Sequence, residues 1–381
     1  MFKQYKLKDY RIRLVAYVVI LTIIGILVIG SAKESVQGKQ IIGMFAGIII
    51  MAVVSLIDYS VILKFRRIWY LAIIVLLGLV LVPGVGNEVS GATRWIEVGG
   101  FQFQPSELCK IMLIVFFSAF FMRYKETLNT WRILLFSVIL IAIPLVLILR
   151  EPDLSTSIVI VLIFITLIFV AGLSYKIILP ILIVAIPTSI ISLVLMLREQ
   201  FPFLQPYQYS RILSWWDPEN YTDTSRQQQN SIIAIGSGQL WGKGLNNSSI
   251  TSLKNGNYLS EPQTDFIFTI VGEELGFAGC IIIIILIMLI LFECIWIAKN
   301  AKDIGGRLIC CGMGGLIGFQ SFINIGVTTG LLPNTGLPLP FVSYGLTSLI
   351  SMYIGIGLVL NVGLQRQKYN GILMSKEDII E

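Results

Sequence analysis

The chain has 381 residues, 56% of them apolar and only 13% charged. Soluble domains carry about a quarter charged residues, and mean hydropathy here is +0.84, so a disordered chain, a collagen and an ordinary soluble two-domain enzyme are excluded. The formal charge of +6 matters through its distribution, and the lack of any histidine removes mechanisms that need imidazole. The five cysteines (109, 280, 294, 310 and 311) lie mostly in apolar runs and read as small core residues.

Crossing about 30 Å of hydrocarbon takes about 20 apolar residues as helix. In chain order the runs fall at 14–31, 40–57, 68–82, 106–122, 132–149, 154–172, 176–197, 268–298, 308–331 and 341–363. The expected fold class is all-α: a polytopic membrane protein of about ten transmembrane helices, one domain over 1–381. A single large loop, 198–264, separates the seventh and eighth spans. The first run follows basic residues, as a signal peptide would, but nine further spans argue for a retained helix. Eighteen of the 28 lysines and arginines lie in the tails and alternate loops of one side. The positive-inside rule then makes both termini cytoplasmic and the large loop external. Glu97, Glu107, Glu151, Asp153, Glu261, Asp265, Glu273 and Glu274 fall on or just inside the external face, so any chemistry is expected outside, away from ATP. Within the large loop, Arg226 to Ile235 is amphipathic and closed by Gly236 and Gly238, which predicts a helix on the membrane surface.

Several segments carry groups able to do chemistry. Arg94-Trp95 precedes the fourth span; it reads as an interfacial anchor or as a diphosphate clamp beside an aromatic face for a sugar. Pro105, Glu107 and Lys110 open that span. Glu107 and Lys110, three apart, share a helix face at a depth where charges are costly. They form either an ion pair that aligns helices or the lining of a cavity for a charged head group. Arg150-Glu151-Pro152-Asp153 is a tight turn whose two carboxylates suggest a cation site or lysine contacts. Gly238 to Gly244 is one residue short of a phosphate loop, lacks the following Ser/Thr and has no preceding strand. It reads instead as a turn that lets Lys243 approach something anionic. A helix starting near Asp265 would stack Asp265, Thr269 and Glu273 on one face. It would run 34 residues to Ala298, about 50 Å, so it must break, tilt or project, with Gly272, Gly276 and Gly279 as break points. Asp265 reads as an N-cap carboxylate or as a group at a cavity mouth. Thr329 to Gly345, which includes Ser343, is apolar yet full of helix breakers, so it lines a cavity or re-enters the membrane.

GATRWI, FQFQPSEL, EPDLST, RILSWWDPE, IAIGSGQLWGKG, QTDFIFTIVGEELGF and NIGVTTGLLPNTGLPLPFVSYG, in this order over 91–345, resemble the SEDS family of RodA, FtsW and SpoVE proteins. The short tails and RWI loop look most like RodA. The resemblance implies a peptidoglycan glycosyltransferase of the bacterial cytoplasmic membrane that polymerises lipid II, the undecaprenyl-diphosphate-linked disaccharide pentapeptide, on its outer face during rod elongation. It implies a class B penicillin-binding transpeptidase and other elongation-complex membrane proteins as partners, and no nucleic acid. Asp265 matches the family's catalytic aspartate. Arg94, Lys110, Arg211 and Lys243 become candidate diphosphate contacts, and Trp95, Glu107, Glu151, Asp153, Glu261, Thr269, Glu273 and Ser343 fill out the substrate site. A divalent cation, magnesium or manganese, is the one cofactor left open. The sequence departs from the family at Gln263, where many members have histidine, at Ser155 for glycine, and at Leu346-Thr347 for Gly-Ser. The change at Gln263 argues against an obligatory base there and shifts the burden to Asp265. Two other classes compete: a lipid II flippase, which would want charges strung along a path to the cytoplasmic face, and a non-catalytic scaffold for the transpeptidase.

Overall fold

The computed structural model describes residues 10–84, 86–89, 92–98, 101–198, 206–246 and 261–365. Helices α1 (Ile12–Ala32), α2 (Glu34–Leu56), α3 (Tyr59–Lys64) and α4 (Arg66–Val80) lead to strands β1 (Gly86–Val89), β2 (Ala92–Val98) and β3 (Phe101–Phe103). Then come α5 (Pro105–Arg123), α6 (Trp131–Arg150), α7 (Leu154–Val170), α8 (Tyr175–Leu197), α9 (Pro206–Trp216) and α10 (Thr222–Ser237). The chain closes with α11 (Ile267–Lys299), α12 (Ile304–Thr328) and α13 (Leu346–Leu364). Each of the ten apolar runs lies mostly on a helix, the last two overlapping the irregular segment between α12 and α13. Among the described residues seven helices are long and apolar enough to cross a membrane, and α7 is a shorter apolar helix. Large side chains such as Ile42, Phe45, Ile49, Met288 and Phe292 are exposed on the bundle's outside, as lipid contact requires. The chain is a helical membrane protein.

Helix α5 is the central post. Its run of buried residues includes Phe116, Phe117, Phe120 and Phe121. Phe116 meets Tyr70 of α4 at 4.6 Å between ring centroids, and Phe117 meets Phe164 of α7 edge-on at 5.0 Å. Helices α2 and α13 approach closely because glycines face them: a Cβ on Gly357 would stand 2.9 Å from the Met51 carbonyl oxygen, the small-residue contact that membrane helices favour. At the end of the bundle away from the sheet, the Tyr59 hydroxyl donates to Asp303 at 2.8 Å and Asn361 Nδ2 donates to the Ser55 carbonyl at 2.7 Å. With the Tyr59 N–H donating to Asn361 Oδ1 at 2.9 Å, these bonds tie α2, α3, the α11–α12 turn and α13 together.

The all-α class holds, with one small antiparallel sheet added in the order β1-β2-β3, Ile96 lying opposite Gly86 and Phe103. Its strands are four, seven and three residues long, too short to show clear alternation. And α11 begins at Ile267 after Phe266, with no side-chain cap, so Asp265 is not an N-cap carboxylate. It lies in the turn just before the helix.

The expected break in the long helix falls at Gly276, with φ 66° and ψ −166°. The turn predicted from Gly238 to Gly244 fills that break. Phe277 and Ala278 donate backbone N–H bonds to Gln239 (2.8 Å) and Leu240 (3.1 Å), and Lys243 and Gly244 donate to Glu273 and Glu274, each at 3.0 Å. Glycine is required on both sides, since a Cβ on Gly242 would lie 2.2 Å from the Glu274 carbonyl oxygen and one on Gly276 2.3 Å from the Gly242 nitrogen. The anionic partner of Lys243 is Glu273, 2.9 Å away.

Candidate functional site

Asp265 sits at the sheet-bearing end of the bundle, held from several directions. Its carbonyl oxygen accepts a 2.8 Å bond from Asn324 Nδ2 on α12. The neighbouring turn is set by Glu261, whose backbone takes φ 52° and whose carboxylate accepts from Gln263 Nε2. The irregular segment between α12 and α13 folds back over this turn. The Ser343 hydroxyl donates to the Thr264 carbonyl at 2.6 Å, and Tyr344 N–H donates to the Gln263 carbonyl at 2.8 Å. Gly336, at φ 73°, lies against the aspartate: a Cβ there would stand 3.2 Å from Asp265 Oδ2 and 3.9 Å from an Arg211 guanidinium nitrogen. Arg211 of α9 and Asp265 therefore both approach this glycine.

The carboxylate is partly buried. Burial pushes its pKa up to about 6, Arg211 and then Arg94 pull it back, and Asp153 and Glu261 add to the rise. A group so placed is ionised at neutral pH and close to its own titration, as suits proton transfer.

Arg94 projects from β2 to the α6–α7 turn, where Nε donates to the Glu151 carbonyl at 3.2 Å and a terminal nitrogen donates to the Pro152 carbonyl. Asp153 caps α7 through Thr156, accepting from its N–H at 3.1 Å and its hydroxyl at 2.9 Å. Glu151 is fully buried, and neither carboxyl oxygen has a hydrogen-bond partner. Its pKa is pushed up to about 8 by burial, with Asp153 adding and Arg94 opposing. Among the described residues no three Cys, Asp or Glu side chains are placed to hold a metal ion.

The remaining sequence candidates act at a distance from Asp265. Lys110 and Glu107 form a 2.7 Å ion pair with side chains 0% and 2% exposed, and Lys110 also donates to Gln320 Oε1 at 2.9 Å. Thr269 shares a 2.5 Å hydrogen bond with Ser231 of α10, and Ser231 donates to the Thr328 carbonyl at 2.7 Å. Lys243 and Glu273 hold the α11 break. Glu261 also faces Lys33 at 3.9 Å on the surface, and Trp95 is half-buried on β2. The structure thus brings together Asp265, Arg211, Arg94, Asp153 and Glu261, while Glu107, Lys110, Thr269, Glu273 and Lys243 brace the elements around them.

Sequence reasoning passed over Gln320, Asn324 and Thr328, which lie four apart along α12 and make one polar face. Gln320 donates to the Pro338 carbonyl at 2.9 Å, and Asn324 donates to the Leu337 carbonyl at 2.6 Å. Amides at helical spacing inside an apolar span were the available signal. On α10, Gln228 donates to the Val327 and Leu332 carbonyls, each at 2.7 Å, and docks that helix on the same segment.

A partly buried carboxylate, with Arg211 and Arg94 in electrostatic range, stands at one end of a helical membrane bundle. The chain belongs to the FtsW/RodA/SpoVE family: the family model described as "Cell cycle protein" matches residues 11–368. A probable peptidoglycan glycosyltransferase FtsW from Geobacter sp. (strain M18) is 33% identical over 370 residues, covering 94% of this chain and 97% of that protein. Stage V sporulation protein E of Bacillus subtilis (strain 168) is 36% identical over 332 residues, covering 85% of this chain and 86% of that protein. Among solved structures, a chain from a study of structural coordination of polymerization and crosslinking by a peptidoglycan synthase complex matches with TM-score 0.76 and 27% identity, covering 94% of this chain and 99% of that one. The rod shape determining protein RodA of Thermus thermophilus matches with TM-score 0.67 and 26% identity, covering 94% and 98%.

Proposed function

We propose that this chain, a peptidoglycan glycosyltransferase, polymerises lipid II into β-1,4 glycan strands on the outer face of the cytoplasmic membrane. The observation that carries the proposal is that the Asp265 carboxylate and Arg211 both approach Gly336, with Arg94 in electrostatic range. The donor sugar carries an α-linked lipid diphosphate and the product bond is β, so one displacement inverts the anomeric carbon. The acceptor 4-hydroxyl oxygen forms the new bond to that carbon as the bond to the diphosphate oxygen breaks. Asp265 takes the hydroxyl proton. The departing diphosphate is already a stable anion, and Arg211 and Arg94, whose charges act on Asp265, are placed to balance its charge. Asp153 and Glu261 shape the field around Asp265.

Concentration of acidic groups on one face supports an external site over a flippase path. The class B penicillin-binding partner and the elongation complex come with the family resemblance, and the RWI loop supports elongation as the process served. The FtsW and sporulation-protein names among relatives support division or spore formation as a second reading; depletion giving round cells supports the first, and depletion giving undivided filaments the second. The activity itself is tested by incubating purified protein, with and without its partner, with labelled lipid II and a transpeptidase inhibitor. Glycan strands are the expected product.

A further inference from the structure

Helix α12 carries three polar side chains, Gln320, Asn324 and Thr328, on the face that meets the Asp265 turn and the segment after Gly330. Asn324 is the middle one and is 1% exposed. Its amide nitrogen reaches two main-chain oxygens from different parts of the chain, Asp265 at 2.8 Å and Leu337 at 2.6 Å. Both partners are acceptors, so the NH2 group must face them; a flipped amide would set three oxygens together. The other amide atom, Oδ1, is buried without a hydrogen-bond partner, a desolvation penalty that the two bonds from the amide nitrogen must offset.

The two carbonyls so joined are informative. One belongs to the aspartate itself. The other belongs to the residue after Gly336, the glycine at which a Cβ would stand 3.2 Å from Asp265 Oδ2 and 3.9 Å from an Arg211 nitrogen. We propose that Asn324 is a positioning residue for glycosyl transfer: its amide holds the Asp265 main chain and the Gly336 loop at a fixed separation, and so sets where the carboxylate stands relative to Arg211. Gln320 extends the same brace one turn along α12, through the Pro338 carbonyl on one side and Lys110 on the other. The inference rests on the reading of Asp265 as the base.

Loss of the amide takes a donor from the buried Leu337 carbonyl and from the partly buried Asp265 carbonyl and frees the Gly336 loop, which admits water to the carboxylate. Misplacing a catalytic group by about 1 Å costs on the order of 100-fold in rate. The charged groups facing Asp265 come from α9 (Arg211), β2 (Arg94), the turn before α7 (Asp153) and its own segment (Glu261). None of them is touched by a change at Asn324. Burial is the largest cause of the raised Asp265 pKa, so hydration of the loop moves the acid limb of the rate profile to lower pH.

The test compares wild type, Asn324→Ala, Asn324→Ser and Asp265→Asn as purified full-length proteins with their transpeptidase partner, assayed on lipid II from pH 5 to 8. Asn324→Ala is expected to lose 10- to 100-fold in kcat with KM for lipid II within twofold. Its acid limb should shift below pH 6, and partner binding should be unchanged. Asn324→Ser keeps one hydroxyl donor and should fall between the two. Wild-type kcat and pH profile in Asn324→Ala, with Asp265→Asn inactive, overturn the positioning role alone. Activity in Asp265→Asn overturns the base assignment instead. Misfolding of both Asn324 variants also overturns the proposal, because it makes Asn324 a residue of the fold and not of the site.

Discussion

Replacing Lys110 by methionine keeps the stem of the side chain and removes its charge. In the folded protein that ammonium group is inaccessible to solvent and donates to Glu107 at 2.7 Å and to Gln320 at 2.9 Å. Removing it strands the Glu107 carboxylate, whose second oxygen already has no hydrogen-bond partner. Breaking a buried pair by removing one partner costs about 3–5 kcal/mol, and the freed Gln320 oxygen adds about 1–3 kcal/mol. Because Gln320 also holds the Pro338 carbonyl, the loosening reaches the loop against Asp265. Lys110→Met should therefore lower the thermal transition of the detergent-purified protein sharply and reduce glycan synthesis. The double variant Glu107→Gln/Lys110→Met removes both charges and should recover most of the stability. Equal stability of Lys110→Met and wild type would refute the reasoning, as would a double variant no better than the single. A double variant that folds normally yet makes no glycan would instead give the pair a direct part in substrate handling.

Gly276→Ala forces a side chain into a backbone region open almost only to glycine and onto Gly242; strain of about 1–3 kcal/mol and broken bonds to the 239–244 turn should lower both stability and rate, read by thermal unfolding and lipid II turnover. With the Asp265 pKa raised to about 6, a base must be ionised, so kcat/KM should be flat above pH 7 and fall tenfold per unit below about 6; a profile that rises on acidification contradicts the assignment. Glu151 has a folded pKa raised to about 8. The folded state holds its proton above the unfolded pKa near 4.5, so stability is lost as pH rises from there toward 8. Glu151→Gln should be more stable than wild type at pH 8, with the gap closing near pH 4.5. Reporter fusions after Arg67, Lys125 and Lys302 should read cytoplasmic and one within 245–257 external; the reverse pattern would overturn the proposed orientation.

The spans were legible because each needs a long apolar run, which no other element of this chain imitates. The α11 break was legible from length alone, and its place from the glycines available. That Lys243 sought an anion was readable, but not that the anion was Glu273, thirty residues on. The sheet at 86–103 escaped because its strands are too short to carry a period and are stabilised by pairing across turns. Asp265 was singled out from its place in the sequence, yet its helix register was misjudged by two residues. Arg211 was named through the family resemblance, but which groups neighbour Asp265 was hidden for a different reason. Arg211, Asn324 and Gly336 are far from it in sequence, and only the fold of α9, α12 and the segment before α13 brings them to one point. Asn324 and Gln320 left a trace as amides in an apolar helix, whereas Gly336 left none, since its role lies in the side chain it lacks.

Polymerisation by Asp265→Asn tests the central claim most directly. Asparagine preserves size and leaves the main-chain bond from Asn324 intact, so folding, partner binding and lipid II binding should persist. The amide cannot take the acceptor proton, and removal of a general base costs about 10²–10⁴-fold in rate. Purified Asp265→Asn protein, in complex with its partner and shown to bind lipid II, should form no detectable glycan strands over the time in which wild type consumes its substrate. Strands formed at near the wild-type rate would contradict the account.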